Sequence, residues 1–238
     1  MQLSNRLQAV ASLVTPNNRV ADIGCDHAYT SIYLIENKLA PHVIAMDVNQ
    51  GPIERARINI EKYGFGKDIE TRKSNGLEKL KVGEVDTVLI AGMGGGLAVQ
   101  ILRAHLEVVK SLKELVLQPQ SEIYLVRRLM EKIGFFITQE NMIKEDGKYY
   151  VMMRAQRQDF VDDPRAYELK KEEHYHYGRL LLEGQHPILK EFLQKEFARC
   201  DNIIHKLRNE STSNSIMRLQ EITQEKNLIE LSLGCYNQ

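Results

Sequence analysis

From residue 19 to about residue 155, short runs of bulky apolar residues alternate with segments whose apolar positions recur at helical spacing. The runs read "RVADIG", "HVIAMDV", "IETRKSN", "TVLIAGM" and "ELVLQPQ". Each is continuous enough in apolar character to be covered on both faces, as parallel strands are. Helical periodicity covers about 28–38, 51–63, 95–110 and 121–133 between them. This alternation predicts βαβ units in a doubly wound α/β sheet.

The end of the sheet departs from that plan. Gly134 suits the left-handed C-cap of the preceding helix, and two further strand-like runs follow, "FFITQENMI" and "KYYVMMRAQ". Only "KEDG", residues 144–147, separates them. A connection this short cannot hold a crossover helix, so the sheet is expected to finish in an antiparallel hairpin.

Beyond about residue 159 the strand signals stop. Turn signals at Asp163-Pro164, Gly184 through Pro187 and Ser211 through Ser215 divide a helix-rich stretch into three helices. Leu189, Leu193, Cys200, Ile203, Ile204 and Leu207 fall largely on one stripe of the second; Leu219, Ile222, Ile229 and Leu233 line the third, with Lys226 interrupting the seam. These two are predicted to fold back as an antiparallel, coiled-coil-like hairpin. The domain boundaries that follow are 1–159 for the α/β domain and 160–238 for a small α-helical domain.

Composition narrows the class without naming a function. The 238 residues are 43% hydrophobic and 27% charged, ordinary for a globular chain. No apolar run of membrane-spanning length and no cleavable leader are visible, so a cytoplasmic protein without a membrane partner is expected. Cys25, Cys200 and Cys235 are odd in number and far apart, which indicates neither a disulfide framework nor a metal site. Formal net charge is zero, and residues 160–238 carry 11 basic against 13 acidic side chains. Any nucleic-acid contact must therefore come from local patches or shape.

Candidate chemistry gathers at the carboxyl ends of the strands, where open α/β sheets bind ligands. Asp22-Ile23-Gly24 ends the first strand and turns toward a helix beginning near Ala28. Glycine suits the tight turn, but Asp26 and Ala28 stand where a dinucleotide fingerprint would place glycines. Asp26 can cap the helix or face a ligand, and an acid here would repel a diphosphate. Asp47 ends the second strand, 25 residues after Asp22, where an acid can accept both ribose hydroxyls. Asn75-Gly76 after the third strand reads equally as a turn or an adenine contact, and Ala91-Gly92-Met93-Gly94-Gly95-Gly96 brings bare backbone to the edge after the fourth.

In this order the pieces resemble class I S-adenosylmethionine-dependent methyltransferases, whose Rossmann-like sheet ends in an antiparallel hairpin. The strings "VADIGCDHAY", "IAMDVN", "AGMGGGLAVQIL", "LVLQPQ" and "LLLEGQHPILKEFL" are similar, nearly end to end, to the bacterial tRNA (adenine-N1)-methyltransferase family called TrmK. That resemblance implies S-adenosyl-L-methionine as cofactor, tRNA as partner, and methyl transfer to N1 of the adenine at position 22, with the helical domain aiding tRNA binding. It implies no metal, and a monomer with a homodimer left open. Its cofactor contacts fall on Asp22, Gly24, Cys25, Asp26, Asp47, Val48, Asn75, Gly76, Ala91, Gly92 and Met93.

The position after the fourth strand carries Gly92-Met93-Gly94-Gly95 in place of the Asn- or Asp-Pro-Pro-aromatic pattern of adenine-N6 enzymes, which fits chemistry on a ring nitrogen. Candidates for the catalytic role are Asp26 and His27 as proton acceptors, Tyr29 as a stacking plane, Met93 in the loop, and Gln118 as a hydrogen-bonding group on the base. A surface position for His27, a buried helix position for Tyr29 and a strand-end turn for Gln118 are the structural alternatives. Gln120 shares the reading of Gln118, and Arg6 lies on an N-terminal helix that covers the site or packs on the sheet. A small-molecule methyltransferase and a binding module with an idle pocket stay open as other functions.

Overall fold

β1 (Val20–Ile23) is buried along its whole length at the centre of a seven-stranded sheet. The computed structural model describes residues 3–208 and 212–237, and the chain divides into two compact units, Met1–Glu168 and Leu169–Gln238. In the first, α1 (Asn5–Ala11) precedes β1. Then come α2 (Tyr29–Glu36), β2 (Val43–Asp47), α3 (Gln50–Tyr63), β3 (Ile69–Lys73), β4 (Thr87–Met93), α4 (Gly95–Ala104), α5 (Leu106–Ser111), β5 (Glu114–Pro119), α6 (Ile123–Lys132), β6 (Phe135–Glu145) and β7 (Lys148–Arg157). Two short 3-10 turns, Gln158–Phe160 and Pro164–Tyr167, end the unit.

The strand order is β3-β2-β1-β4-β5-β7-β6. β1 to β5 run parallel, with Val20 level with both Val43 and Thr87. β7 lies antiparallel between β5 and β6, and Asp146-Gly147 turns the hairpin with φ of 50° and 74°. Such a two-residue turn lets the ladder run up to the bend, so Lys144 and Glu145 belong to β6. The order reverses direction between β1 and β4, and the crevice at that switch point is where ligands enter sheets of this kind.

Fully buried Ile32, Leu34, Ile44, Met46, Leu89, Ile90 and Leu102 show how β1, β2 and β4 are sealed between helices. β3 corrects the expectation of strands covered on both faces: it is an edge strand in which only Ile69 is buried. The helical stretch 95–110 is not continuous either, because His105, at φ −136°, separates α4 from α5. α6 is fastened to β6 by a buried ion pair in which Arg127 Nη2 lies 2.8 Å from Glu140 Oε1, at 0% and 1% side-chain exposure.

Among the described residues the second unit holds four helices where three were expected: α7 (Glu172–Tyr177), α8 (Arg179–Glu183), α9 (Pro187–Leu207) and α10 (Ser213–Gly234). Gly178, at φ 91°, splits the first expected helix. α9 and α10 pack antiparallel, as hydrogen bonds from Gln185 to the Cys235 carbonyl and from Tyr236 to the His186 carbonyl show at one end. Leu189, Leu193, Cys200 and Ile204 meet Ile222 and Ile229 in the seam, while Ile203, Leu207, Leu219 and Leu233 lie at its half-buried margins. Lys226 does not break the seam; its ammonium pairs with Asp201 at 2.6 Å and lies 4.6 Å from the Phe197 ring centre. The long apolar stem can line a seam while the charged head reaches its edge. Thr212 and Ser215 form a capping box at the start of α10; Ser211, in the expected turn, lies outside the described residues.

Among the described residues no helix is long and apolar enough to cross a membrane, and no group of three or more His, Cys, Asp or Glu could hold a metal ion. Glu140→Ala should lower unfolding stability by about 3–5 kcal/mol, the cost of removing one partner of a buried ion pair, and a denaturant titration would measure it.

Candidate active site

Backbone conformation makes the β1–α2 loop what it is. Gly24, Asp26 and Ala28 all have positive φ, at 76°, 46° and 56°. Only glycine adopts that region freely, and each strained non-glycine residue costs about 1–3 kcal/mol and persists only where its surroundings over-determine it. They do: the amides of Gly24 and Cys25 both donate to the Met46 carbonyl at 2.8 and 3.0 Å, and Asn59 Nδ2 of α3 donates to the His27 carbonyl at 3.0 Å.

This conformation removes the capping alternative for Asp26, because Ala28 occupies the cap position of α2 and no side chain caps it. Asp26 instead stands 61% exposed, its Oδ1 accepting from Arg55 at 2.9 Å and its Oδ2 lying 3.6 Å from His27 Nε2. Tyr29 is not a buried helix residue. It is exposed and stacks on the His27 ring, with centroids 5.5 Å apart and planes 9° from parallel.

Two clefts flank this loop and share Gly24, Ala91 and Gly92. One, of about 330 Å³, brings together Asp47, Val48, Asn75, Gly76 and Met93 with Ser74, Asn49, Leu97 and Ile101. The other, of about 270 Å³, is lined by Asp22, Cys25, Asp26, His27 and Tyr29 together with Arg6, Leu7 and Thr30. Gly92 sits in a β-bulge between Ala91 and Met93 at φ 81°, which turns the end of β4 toward both clefts. A Cβ on Gly24 would lie 2.3 Å from the Met93 methyl, the movable end of a flexible side chain, so it is the positive φ that calls for glycine here. The Met93 side chain thus covers an edge expected to be bare backbone.

Asp22 is the electrostatic centre. Its Oδ2 accepts from Ser31 at 2.7 Å, but burial dominates and raises the acid to about 6. An acid this dry is one that a cationic ligand group would ionise. The Cys25 thiol is pushed far up by burial and the nearby acids, so it is no nucleophile at neutral pH. Asp47, half-buried at the end of β2, uses Oδ1 to accept from the Asn49 amide at 2.9 Å. A carboxylate has further acceptor sites available for a diol.

Gln118 departs from its expected place. It is fully buried, its Oε1 accepts from Arg6 Nη1 at 2.7 Å, and Arg6 rather than Gln118 lines the cleft. Gln120 lies nearer the opening, with Nε2 3.7 Å from where a Cβ of Gly92 would stand. Sequence reading passed over Asn49, Leu97, Ile101 and Arg55. The first directly follows Asp47-Val48, and Leu97 and Ile101 are four apart on one face of α4, a spacing that could have found them.

The lining fits S-adenosylmethionine: a buried acid for a cationic amino-acid end, an acid at a strand end to accept from a ribose, and an apolar wall from Leu97 and Ile101 for a base. A methyltransferase-domain family model matches residues 3–153. The Bacillus subtilis (strain 168) tRNA (adenine(22)-N(1))-methyltransferase is 37% identical over 159 residues, spanning 67% of each chain. The crystal structure of the B. subtilis tRNA methyltransferase TrmK superposes with a TM-score of 0.87 at 29% identity, over 98% of this chain and 99% of that one. M. capricolum TrmK, solved with S-adenosylhomocysteine, gives 0.84 at 27% identity over 99% of both. With the sheet, the bulged glycine loop and the paired clefts already in place, these likenesses show that the chain belongs to the methyltransferase-domain family and, within it, to the tRNA (adenine(22)-N(1))-methyltransferases known as TrmK.

Proposed function

We propose that this chain is an S-adenosylmethionine-dependent methyltransferase that methylates N1 of the adenine at position 22 of tRNA. The observation that carries it is the junction of two clefts at Gly24, Ala91 and Gly92, one suited to a nucleoside and the other lined by paired aromatic rings and acids. When bound, the cofactor supplies a methyl group made electrophilic by a sulfonium centre.

The protein's own work is positioning and charge. Asp47 and Asn75 hold the nucleoside end, Leu97 and Ile101 wall it, and Asp22 faces the amino-acid end. Cys25, Val48, Gly76 and Met93 complete that surface. The His27–Tyr29 stack offers a plane for a base withdrawn from its helix, since an aromatic face receives any base. Adenine N1 has an in-plane lone pair, so no strong base is needed before transfer. Afterwards the base is cationic until N6 loses a proton, and Asp26, with His27 beside it, is the acceptor. The paired α9 and α10 help to hold the folded tRNA, and the protein acts in the cytoplasm as a monomer.

Incubating the protein with labelled cofactor and unmodified bacterial tRNA should yield 1-methyladenine, and tRNA carrying guanine at position 22 should yield none. Nucleoside analysis of digested product decides it; label elsewhere in the tRNA would refute the site.

Asp22 gives a pH signature. Because burial raises it from 3.8 to about 6, its contribution to folding of the free protein is full below 3.8 and lost as pH rises through about 6. Ligand binding runs the other way, since a cationic amino group needs the ionised acid. Affinity for S-adenosylhomocysteine should rise roughly tenfold from pH 5 to pH 7 by calorimetry, and Asp22→Asn should flatten the profile.

Asn tolerates a positive φ, so Asp26→Asn keeps the loop while removing the acceptor. The exposed pair with Arg55 is worth at most about 1 kcal/mol, so the melting temperature should barely move. Single-turnover methylation should slow by at least about tenfold, the low end for a lost acid-base group. An unchanged rate would leave Asp26 a loop residue only.

A further inference from the structure

We infer that Glu122, which lines neither cleft, is a positioning residue: its carboxylate caps α4 from outside and so fixes the apolar wall that Leu97 and Ile101 present to the cofactor's nucleoside. The inference rests on the S-adenosylmethionine reading above and adds to it a residue that touches no ligand.

α4 begins poorly on its own. Gly94 holds the cap position without a side chain, and Gly95 and Gly96 open the helix. Glycine is the poorest helix former after proline, and the first amides of any helix have no partner inside it. A Ser or Asp at the cap would ordinarily supply one acceptor. Here the acceptors come from the corner between β5 and α6: the Gly95 amide donates to the Ser121 carbonyl at 2.9 Å, and the Gly96 amide to Glu122 Oε2 at 3.2 Å. A carboxylate at this end also meets the positive pole of the helix dipole.

The corner is shaped for this contact. Glu122 stands at φ 48° and ψ 39°, a region few non-glycine residues enter. A Cβ on Gly95 would lie 2.4 Å from the Ser121 carbonyl oxygen and 2.7 Å from that of Glu122, both backbone atoms that cannot swing aside. The glycine that lets the two segments meet therefore also weakens the helix, and Glu122 offsets that weakness. Leu97 lies in the same first turn, with Ile101 one turn further along the same face, and both line the nucleoside cleft. Fraying of the turn would displace Leu97 first. The preceding bulge is tied to the corner as well, because the Gln120 amide donates to the Met93 carbonyl at 2.8 Å.

The test measures S-adenosylhomocysteine and 5′-methylthioadenosine, which share the nucleoside and differ in the amino-acid end, by calorimetry on the full chain. Glu122→Ala should weaken both by the same factor, about three- to fivefold, because the ordering that the cap supplied is then drawn from binding. Glu122→Gln, whose amide oxygen still accepts from Gly96, should recover most of the loss. Glu122→Gly removes the carboxylate from a backbone that glycine adopts freely, so it should bind as weakly as Glu122→Ala while melting no lower. Wild-type affinity in Glu122→Gly would overturn the assignment by giving the effect to the backbone turn, and a Gln variant as weak as the Ala variant would overturn it by removing the hydrogen bond as cause. So would weakening of S-adenosylhomocysteine alone, or unchanged affinities with an altered KM for tRNA. Binding of neither ligand by the wild type would instead refute the cofactor reading itself.

Discussion

One close approach marks the ligand edge: the methyl of Met93 packs over Gly24, 2.3 Å from where a Cβ would stand. That contact joins the loop after β1 to the bulged loop after β4, the two strands on either side of the switch point. The loop after β1 holds Asp26 and Ala28 at positive φ, whereas the loop after β4 uses Gly92, which adopts that region freely. Hydrogen bonds from Gly24 and Cys25 to the carboxyl end of β2 add a third fixed point. The clefts are therefore formed by the fold itself, which is what catalysis by alignment requires.

Two acids four positions apart show how the same loop sets opposite electrostatics. Asp22 closes a central strand, is sealed from water and is pushed up to about 6, whereas Asp26 stands in solvent beside Arg55. The first is poised to respond to a cationic ligand, and the second lies on an exposed surface at the cleft mouth.

Elsewhere, charged side chains serve mainly to fasten elements. Arg72 is gripped by Glu70 and Glu84, Arg19 by Asp86, and Arg127 by Glu140. Lys226 does the same across the α9–α10 seam. A chain of zero formal net charge thus spends many of its ions on its own architecture, and any long-range pull on a polyanion is correspondingly weak.

The parallel strands, the closing hairpin and the acids at strand ends were legible from residue order because burial on both faces leaves a continuous apolar run. A strand's carboxyl end, once located, marks the ligand edge. Asp22, Asp47 and the glycine loop could be placed on that edge without any coordinates. The exposure of β3 could not, since only strand order makes it an edge. Nor could the breaks at His105 and Gly178, where helical periodicity continues across a bend. The burial of Gln118 beneath Arg6 and the stacking of Tyr29 on His27 were likewise invisible. Periodicity records how each residue meets its local face, whereas a contact between α1 and β5, or a loop forced into positive φ by a neighbouring strand, exists only once sheet order and register bring distant segments together.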